Sequence, residues 1–159
     1  MHQYDMRFFV DAMLGNIAKK LRLLGYDSRY FADIDDKHLI SEAEKENRII
    51  ISKDKELVKK AQKIGIKSIL VTKNKEIDQF CEISDHVNLK NSKIDGDNAR
   101  CPKCNSLTAL IDKILIKEKI PHKVYEMNKK FWLCNTCGQV YWEGTHIKDL
   151  QKFVRKLNE

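Results

Sequence analysis

The sequence has no long apolar run, no signal-peptide pattern, and no repeated or low-complexity segment. None of its hydrophobic stretches approaches the roughly 18–20 residues that a membrane-spanning helix needs. The first residues lack the basic and then apolar order of a secretory signal, so we expect a cytoplasmic location. Disulfides are rare in that compartment, and closely spaced cysteines there are expected to bind metal or to serve in redox chemistry.

Charge is abundant, and it is unevenly distributed. The chain of 159 residues, with 42% hydrophobic and 33% charged residues, is long enough for one full domain and a small additional module. Residues 1–98 carry 18 Lys and Arg against 17 Asp and Glu, whereas residues 99–159 carry 12 against 6. The basic C-terminal part is typical of a partner rich in phosphate, such as nucleic acid, or of a solvated lysine-rich surface.

The first ninety residues alternate between β-prone and amphipathic segments. The pattern predicts strands at 7–10, 28–31, 49–51 and 68–72, with a helix after each of them. Such alternation predicts a parallel sheet covered by helices on both faces. The polar stretch 91–98 marks a boundary, so we predict an α/β domain over 6–95 and a second module over 99–159. In that module, strand-like runs at 113–116, 123–125 and 131–133 precede a C-terminal helix at about 147–157.

Four of the five cysteines form two Cys-x-x-Cys pairs, Cys101 with Cys104 and Cys134 with Cys137. Two such pairs in a small module predict one tetrahedral site of four thiolates, which suits zinc and leaves no open coordination position. We therefore expect a structural ion in a zinc ribbon. A redox dithiol and an iron–sulfur cluster are the alternatives, and Cys81, outside the set, is expected to be a core residue.

Aspartates follow the first three predicted strands: Asp11, the pair Asp35 and Asp36, and Asp54. Ligands of open parallel sheets bind beyond the carboxyl ends of the strands, so these carboxylates could converge on one Mg²⁺ or Mn²⁺ ion. Such an ion activates water and stabilises charge on a phosphodiester. Each aspartate also precedes a predicted helix, and a role as helix N-cap is the simpler interpretation of any one of them.

Several further side chains are candidates for contact with RNA. Lys19, Lys20, Arg22 and Lys53 could form a basic rim for phosphates, although solvated helix faces are the simpler explanation. Tyr141 and His146 lie beside the second cysteine pair, where aromatic rings can stack on bases and a histidine can contact phosphate. The alternative is that this segment packs the module onto the first domain.

Four blocks of the sequence resemble the Mut-seven C-terminal RNase domain family. They are FVDAMLGNIAKKLRLLGYD at 9–27, the acidic stretch at 35–39, RIIISKD at 48–54, and CGQVYWEGTH at 137–146. The resemblance implies a PIN-like three-layer α/β domain with a mostly parallel sheet, followed by a small zinc ribbon. It also implies metal-dependent RNA cleavage, with Asp11, Asp36 and Asp54 at the positions of the PIN acidic residues and Asp35 as the alternative to Asp36.

The chain departs from that family pattern in two places. Ser52 and Lys53 stand before Asp54 where the family usually has Thr and Arg, which keeps a hydroxyl and a cation. A fourth acid often follows the fourth strand of PIN nucleases, and the candidates here are Asn74, Glu76 and Asp78.

Three functions are compatible with these features. The first is a ribonuclease that cleaves single-stranded RNA with Mg²⁺ or Mn²⁺ and holds RNA with its zinc ribbon. The second is a non-catalytic RNA- or ribosome-binding protein of the same fold. A receiver-like phosphoacceptor ranks last, because such domains need an acidic pair after the first strand and Asp11 is followed by Ala12.

Overall fold

The computed structural model describes residues 5–30, 32–89 and 93–159, without the side chains of Thr145 and His146. Strands and helices alternate in the first part, as the sequence predicts. The predicted strand 28–31 is found one residue earlier, and its last position, Phe31, lies outside the described residues. The elements are β1 Arg7–Val10, α1 Gly15–Leu23, β2 Asp27–Tyr30, α2 Asp36–Lys45, β3 Ile49–Ser52, α3 Lys55–Lys63, β4 Ser68–Leu70 and α4 Glu76–His86.

The four strands form one parallel sheet in the order β2-β1-β3-β4. Alternate residues of the central strands point to opposite faces. Phe8 of β1 and Ile51 of β3 pack in a core with α1 and α4, while Phe9 and Ile50 pack in a second core with α2 and α3. The arrangement confirms the three-layer α/β fold, in which both sheet faces are buried.

The C-terminal module is a three-stranded antiparallel sheet in the order β5-β6-β7. Its core is small, with Ile116, Phe131 and Val140 buried at its centre. The elements are β5 Thr108–Ile111, a 3₁₀ helix Lys113–Lys119, α5 His122–Met127, β6 Phe131–Cys134, β7 Val140–Tyr141 and α6 Thr145–Asn158.

Two of the predicted strands in this module are wrong, and two strands, β5 and β7, were not predicted. The run 113–116 is 3₁₀ helix and 123–125 belongs to α5, while β5 takes the place opposite β6. Asp112 caps the 3₁₀ helix by accepting a hydrogen bond from the backbone of Ile114 at 3.0 Å. Ile116 is the buried apolar residue of that helix, so the β-branched run reflects one anchoring side chain rather than a strand face.

The last helix, α6, packs against the α/β part of the molecule. Val154 and Leu157 are buried in the same core as Phe8 and Phe80, and the Phe153 ring meets Phe80 edge-on at 5.2 Å between centroids. The amphipathic pattern of α6 thus matches a surface on α4 rather than on the ribbon strands. Among the described residues, no helix has both the length and the apolarity to cross a bilayer.

Candidate functional site

The four cysteine thiols of the two predicted pairs lie together. Their sulfur atoms are all within 4.8 Å of one another. Between the two Cys-x-x-Cys pairs, the sulfur–sulfur distance is 3.6 Å from Cys101 to Cys137 and 3.4 Å from Cys104 to Cys134. Thiolates about 2.3 Å from a tetrahedral zinc ion would be separated by about 3.8 Å. The group can therefore hold a metal ion such as zinc, with cysteine at all four positions. The expectation that Cys81 is a core residue is wrong, because Cys81 is exposed on α4.

Both cysteine pairs sit on turns of the same geometry. The residue after each pair, Asn105 or Gly138, has a positive φ, of 70° and 78° respectively. Its backbone N–H donates to the carbonyl of the first cysteine of its pair, at 2.8 Å in each case. Glycine adopts this conformation without strain and asparagine tolerates it better than most residues, so the sequence chooses the two residues suited to the turn.

The Tyr141 hydroxyl lies 2.9 Å from the sulfur of Cys101, to which it donates when that cysteine is a thiolate. Burial raises the pKa of Tyr141, and the bond to Cys101 raises it further, so the hydroxyl keeps its proton. This position supports the metal site from outside the four ligands. The structure thus gives the Tyr141 hydroxyl a role that sequence reasoning did not assign, while stacking of its ring on an RNA base stays a prediction.

The first cysteine turn is joined to the edge of the parallel sheet by Asn105. Its side-chain Nδ2 donates to Asp27 at 2.7 Å, and its side-chain Oδ1 accepts from the backbone N–H of Ser28 at 3.0 Å. Asp27 in turn receives two hydrogen bonds from the buried guanidinium of Arg48, at 2.7 and 3.2 Å. Burial opposes ionisation of Asp27, but the hydrogen bonds from Arg48 and Asn105 outweigh it and lower the pKa of Asp27.

Arg22, which was predicted to contact RNA, belongs to the same contact between the first cysteine turn and the edge of the parallel sheet, which we call the joint. It is buried, and its guanidinium donates to the carbonyls of Ser28 at 2.8 Å and Pro102 at 2.7 Å. The prediction of an RNA contact is therefore corrected, because those donors face protein carbonyls instead of solvent. Helical spacing placed Arg22 on a basic face of α1, and only the tertiary fold brings the cysteine turn over it.

Two of the predicted acidic residues are linked through Ser52 at the carboxyl ends of β1 and β3. The buried Ser52 hydroxyl donates to Asp11 at 2.7 Å and accepts from the backbone N–H of Asp54 at 2.9 Å. Adjacency of β1 and β3 in the sheet produces this contact between residues some forty positions apart. Sequence reasoning noted the hydroxyl of Ser52 but not that it joins the two aspartates.

Asp11 and Asp54 also cap the helical segments that follow them. One oxygen of Asp11 accepts from the backbone of Ala12 at 2.7 Å, and Oδ1 of Asp54 accepts from Glu56 and Leu57 at 2.9 and 3.3 Å. The N-cap interpretation is thus confirmed for both residues. It leaves Oδ2 of Asp54 without a hydrogen-bond partner among the described residues, so capping and cation binding remain compatible.

The third acidic position lies apart from the other two. Asp35 caps α2 by accepting from the backbone of His38 at 2.9 Å, and it also contacts the His38 ring at 2.6 Å. Asp36 occupies the first turn of α2 and is half-buried. In the described ranges, the four cysteines are the one group of three or more potential ligands that lie within metal-sharing distance.

The predicted basic residues differ in their surroundings. Lys20 is paired with Glu76, and Lys53 donates to Asn74 at 3.2 Å, so two of the three candidates for a fourth acidic ligand are engaged by lysines. Lys19 and Lys53 line an open cleft of about 590 Å³ beside the start of α1. The His146 side chain lies outside the described residues.

The fold and the sites define a class of protein: a parallel α/β domain carrying acidic residues at its strand ends, joined to a four-cysteine module. The family model described as the Mut7-C RNAse domain matches residues 6–154, nearly the whole chain, and the protein belongs to that family. An RNase domain implies a ribonuclease-like function with RNA as substrate. No curated protein and no solved structure matches the chain.

Proposed function

We propose that this protein is a metal-dependent ribonuclease that cleaves single-stranded RNA in the cytoplasm. The observation that carries the proposal is the Asp11–Ser52–Asp54 arrangement at the carboxyl ends of two adjacent parallel strands. Membership in an RNase domain family supplies the substrate class. The acidic residues would hold Mg²⁺ or Mn²⁺, and the four cysteines would hold a structural zinc ion.

Asp11, Asp54 and Asp36 are the proposed ligands of the catalytic cation, with Asp35 as the alternative to Asp36. The free Oδ2 of Asp54 and the anchored carboxylate of Asp11 fit a hard cation, which prefers oxygen ligands. When bound, such an ion supplies an activated water and stabilises charge on the phosphate. Ser52 fixes the Asp11 carboxylate by donating to it, and Asp36 stands in the first turn of α2, which follows the neighbouring strand β2.

The cleft beside this site would receive the RNA backbone. Its lining includes Lys19 and Lys53, whose ammonium groups can neutralise phosphates, and Tyr30, whose ring can face a base. The cleft opens at the end of the sheet where ligands of parallel α/β folds bind. Lys20 is held by Glu76 and contributes less to the site than its position in the sequence predicts.

The ribbon module, residues 99–159 in the division that we propose, would assist RNA binding. Its support is electrostatic: this part carries 12 Lys and Arg against 6 Asp and Glu. A surface of that charge attracts a polyanion at a distance and binds it in a salt-dependent manner. The proposed zinc ion would hold the shape of the module and leave the chemistry to the other domain.

The test is cleavage of labelled single-stranded RNA by the full chain in the presence of Mn²⁺ or Mg²⁺. We expect Asp11→Asn and Asp54→Asn to reduce the cleavage rate by at least about a hundredfold, because each removes a charged ligand of the cation. Asp85→Asn, an exposed acid on α4 away from the strand ends, is the matched control. Equal cleavage by the wild type and both site variants would refute the assignment.

The second candidate function is RNA or ribosome binding without cleavage. It is favoured by the separation of Asp36 from the Asp11 and Asp54 pair, since no cluster of three carboxylates forms among the described residues. Its expected outcome in the same assay is tight, salt-dependent RNA binding with no cleavage in any divalent ion. Comparison of Asp35→Asn with Asp36→Asn tests which acid of α2 takes part.

A further inference from the structure

The exposed apolar side chains of this protein are concentrated on one part of the ribbon module. Seven large hydrophobic residues are exposed in the described chain, and five of them lie between 107 and 127. Isolated exposed hydrophobic residues are normal on any protein surface, but a local concentration marks an interaction surface. The five are Leu107 (65% exposed), Leu110 (60%), Ile114 (75%), Leu115 (68%) and Met127 (72%).

Three of these residues lie on the insertion between the two cysteine pairs, residues 112–130, which we call the cap. The 3₁₀ helix and α5 of the cap pack against each other, and the Lys113 ammonium bridges them by donating to the carbonyl of Asn128 at 2.8 Å. The inner face of the cap covers the small ribbon core through Ile116. Ile114, Leu115 and Met127 remain on its outside, where they add nothing to that core.

The cap is also strongly basic. It carries six lysines against three acidic residues, and five of those lysines are exposed. The lysines flank the exposed aliphatic side chains along the sequence. They are Lys113, Lys117, Lys119, Lys123, Lys129 and Lys130.

The chemistry of this surface separates it from an RNA-binding surface. RNA is held by bases stacked on aromatic rings or guanidinium planes, and residues 101–154 contain no arginine. The one aromatic residue of the cap, Tyr125, is half-buried with the Lys113 ammonium 4.3 Å above its ring. Exposed Met is instead enriched at protein–protein interfaces, and the aliphatic side chains of Ile114 and Leu115 offer apolar surface without a ring on which a base could stack.

We propose that the cap binds an acidic segment of a partner protein, one that carries aliphatic side chains between Asp and Glu residues. The aliphatic side chains would bury Ile114, Leu115 and Met127, and the carboxylates would face the flanking lysines. A second copy of this chain is a poor occupant, because two surfaces rich in lysine would repel each other across a twofold axis. The inference uses none of the candidate catalytic residues, and it leaves the ribbon residues outside the cap, with 6 Lys and Arg against 3 Asp and Glu, for the proposed assistance to RNA binding.

The test is selection of a displayed library of random 12-residue peptides on the immobilised full-length, zinc-loaded protein. We expect enrichment of peptides rich in Asp, Glu and aliphatic residues. Their affinity is expected to fall about tenfold or more in the Ile114→Ser/Leu115→Ser variant. Charge reversal at Lys117 and Lys129 to Glu is expected to weaken binding and to reduce its salt dependence.

Two controls keep this test specific to the cap. Ile64→Ser removes another exposed hydrophobic residue, on the α/β part, and is expected to leave peptide binding unchanged. Unchanged zinc content and far-UV circular dichroism would show that the cap variants fold. The proposal is overturned if no acidic-aliphatic peptides are enriched, or if the cap variants bind them as well as the wild type does. It is also overturned if the cap variants keep binding the peptides and lose instead their binding to single-stranded RNA, their binding to anionic phosphatidylserine vesicles, or their self-association.

Discussion

The α/β part and the ribbon part of this molecule are stabilised in different ways. The parallel sheet is buried between two apolar cores, one on each face, and most of its strand residues contribute to one of them. The ribbon buries three residues at its centre and surrounds them with partly exposed neighbours. Burial alone can therefore hold the first part, whereas we expect the second to depend on a metal ion at its four cysteines and on its contacts with the first.

The largest effect on the difference in stability between the two parts is expected from disruption of the four-cysteine site. Cys134→Ser removes one of four ligands, and binding of a structural zinc ion contributes about 10–16 kcal/mol to folding of small zinc modules. We expect the variant to bind less than one zinc ion per chain and to lose amide hydrogen-exchange protection in β5, β6 and β7. Hydrogen-exchange protection in β1 and β3 should persist. Loss of protection in these strands as well as in the ribbon strands would contradict the view that burial alone stabilises the α/β part.

A substitution in the core tests the stability of the α/β part. Phe8 is fully buried in the sheet core, and Phe8→Ala is expected to lower the free energy of unfolding by about 3–5 kcal/mol through loss of burial and creation of a cavity. Denaturant unfolding of the zinc-loaded protein measures this value. Phe131→Ala is the counterpart in the ribbon. It is expected to lower the free energy of unfolding of the α/β part by much less than Phe8→Ala does.

The segment between the two parts is held by a close contact at Gly96. A Cβ atom there would lie 2.1 Å from the ring of Trp132, whose indole N–H donates to Asp97 at 3.1 Å. Gly96→Ala should therefore displace the ring and destabilise the ribbon by about 1–3 kcal/mol. A red shift of Trp132 fluorescence in a Trp142→Phe background would report the displacement.

Gly138→Ala is the matched control for that substitution. It meets no atom within 4 Å but has a positive φ of 78°, so its cost is backbone strain alone. We expect it to leave the Trp132 emission unchanged. The same red shift in both variants would argue against the packing explanation.

The smallest effect that we expect concerns the joint at Asp27. Asp27→Asn removes one of the two carboxylates that pair with the buried Arg48 guanidinium and leaves its ion pair with Glu46, at a cost of about 1 kcal/mol. The folded-state pKa of Asp27 is lowered, so its stabilising contribution is present above the unfolded-state pKa and is lost as the pH falls through the folded-state value. The stability difference between wild type and variant should therefore shrink below about pH 4.

Asp149→Asn, at an exposed acid of α6, is the control for the joint. It is expected to show no such pH dependence. A difference between wild type and Asp27→Asn that stays constant from pH 7 to pH 3 would contradict the proposed ion pair.

The sequence predicted the first part better than the second, for a physical reason. Periodicity reports burial, and the buried run Ile49–Ser52 and the amphipathic helices of the α/β part are long enough to carry that signal. In the ribbon, structure is imposed by ligand geometry and by single anchors such as Ile116, which periodicity does not record. The runs 113–116 and 123–125 were therefore assigned as strands in error.

The candidate sites follow the same division. The cysteine spacing predicted the four-thiol cluster, because the motif itself encodes the geometry. The link between Asp11 and Asp54 through Ser52 depends on strand adjacency, which a strand pattern alone does not specify. The change of role for Arg22 depends on the cysteine turn that folds over it, a contact between residues eighty positions apart.

The central claim is that one metal site holds the shape of the ribbon while acidic residues on the other part carry the chemistry. Parallel measurement of zinc content and Mn²⁺-dependent RNA cleavage in wild type and Asp11→Asn tests it most directly. We predict about one zinc ion per chain in both proteins, with cleavage in the wild type only. Cleavage by Asp11→Asn at the wild-type rate, or loss of its zinc, would contradict the account.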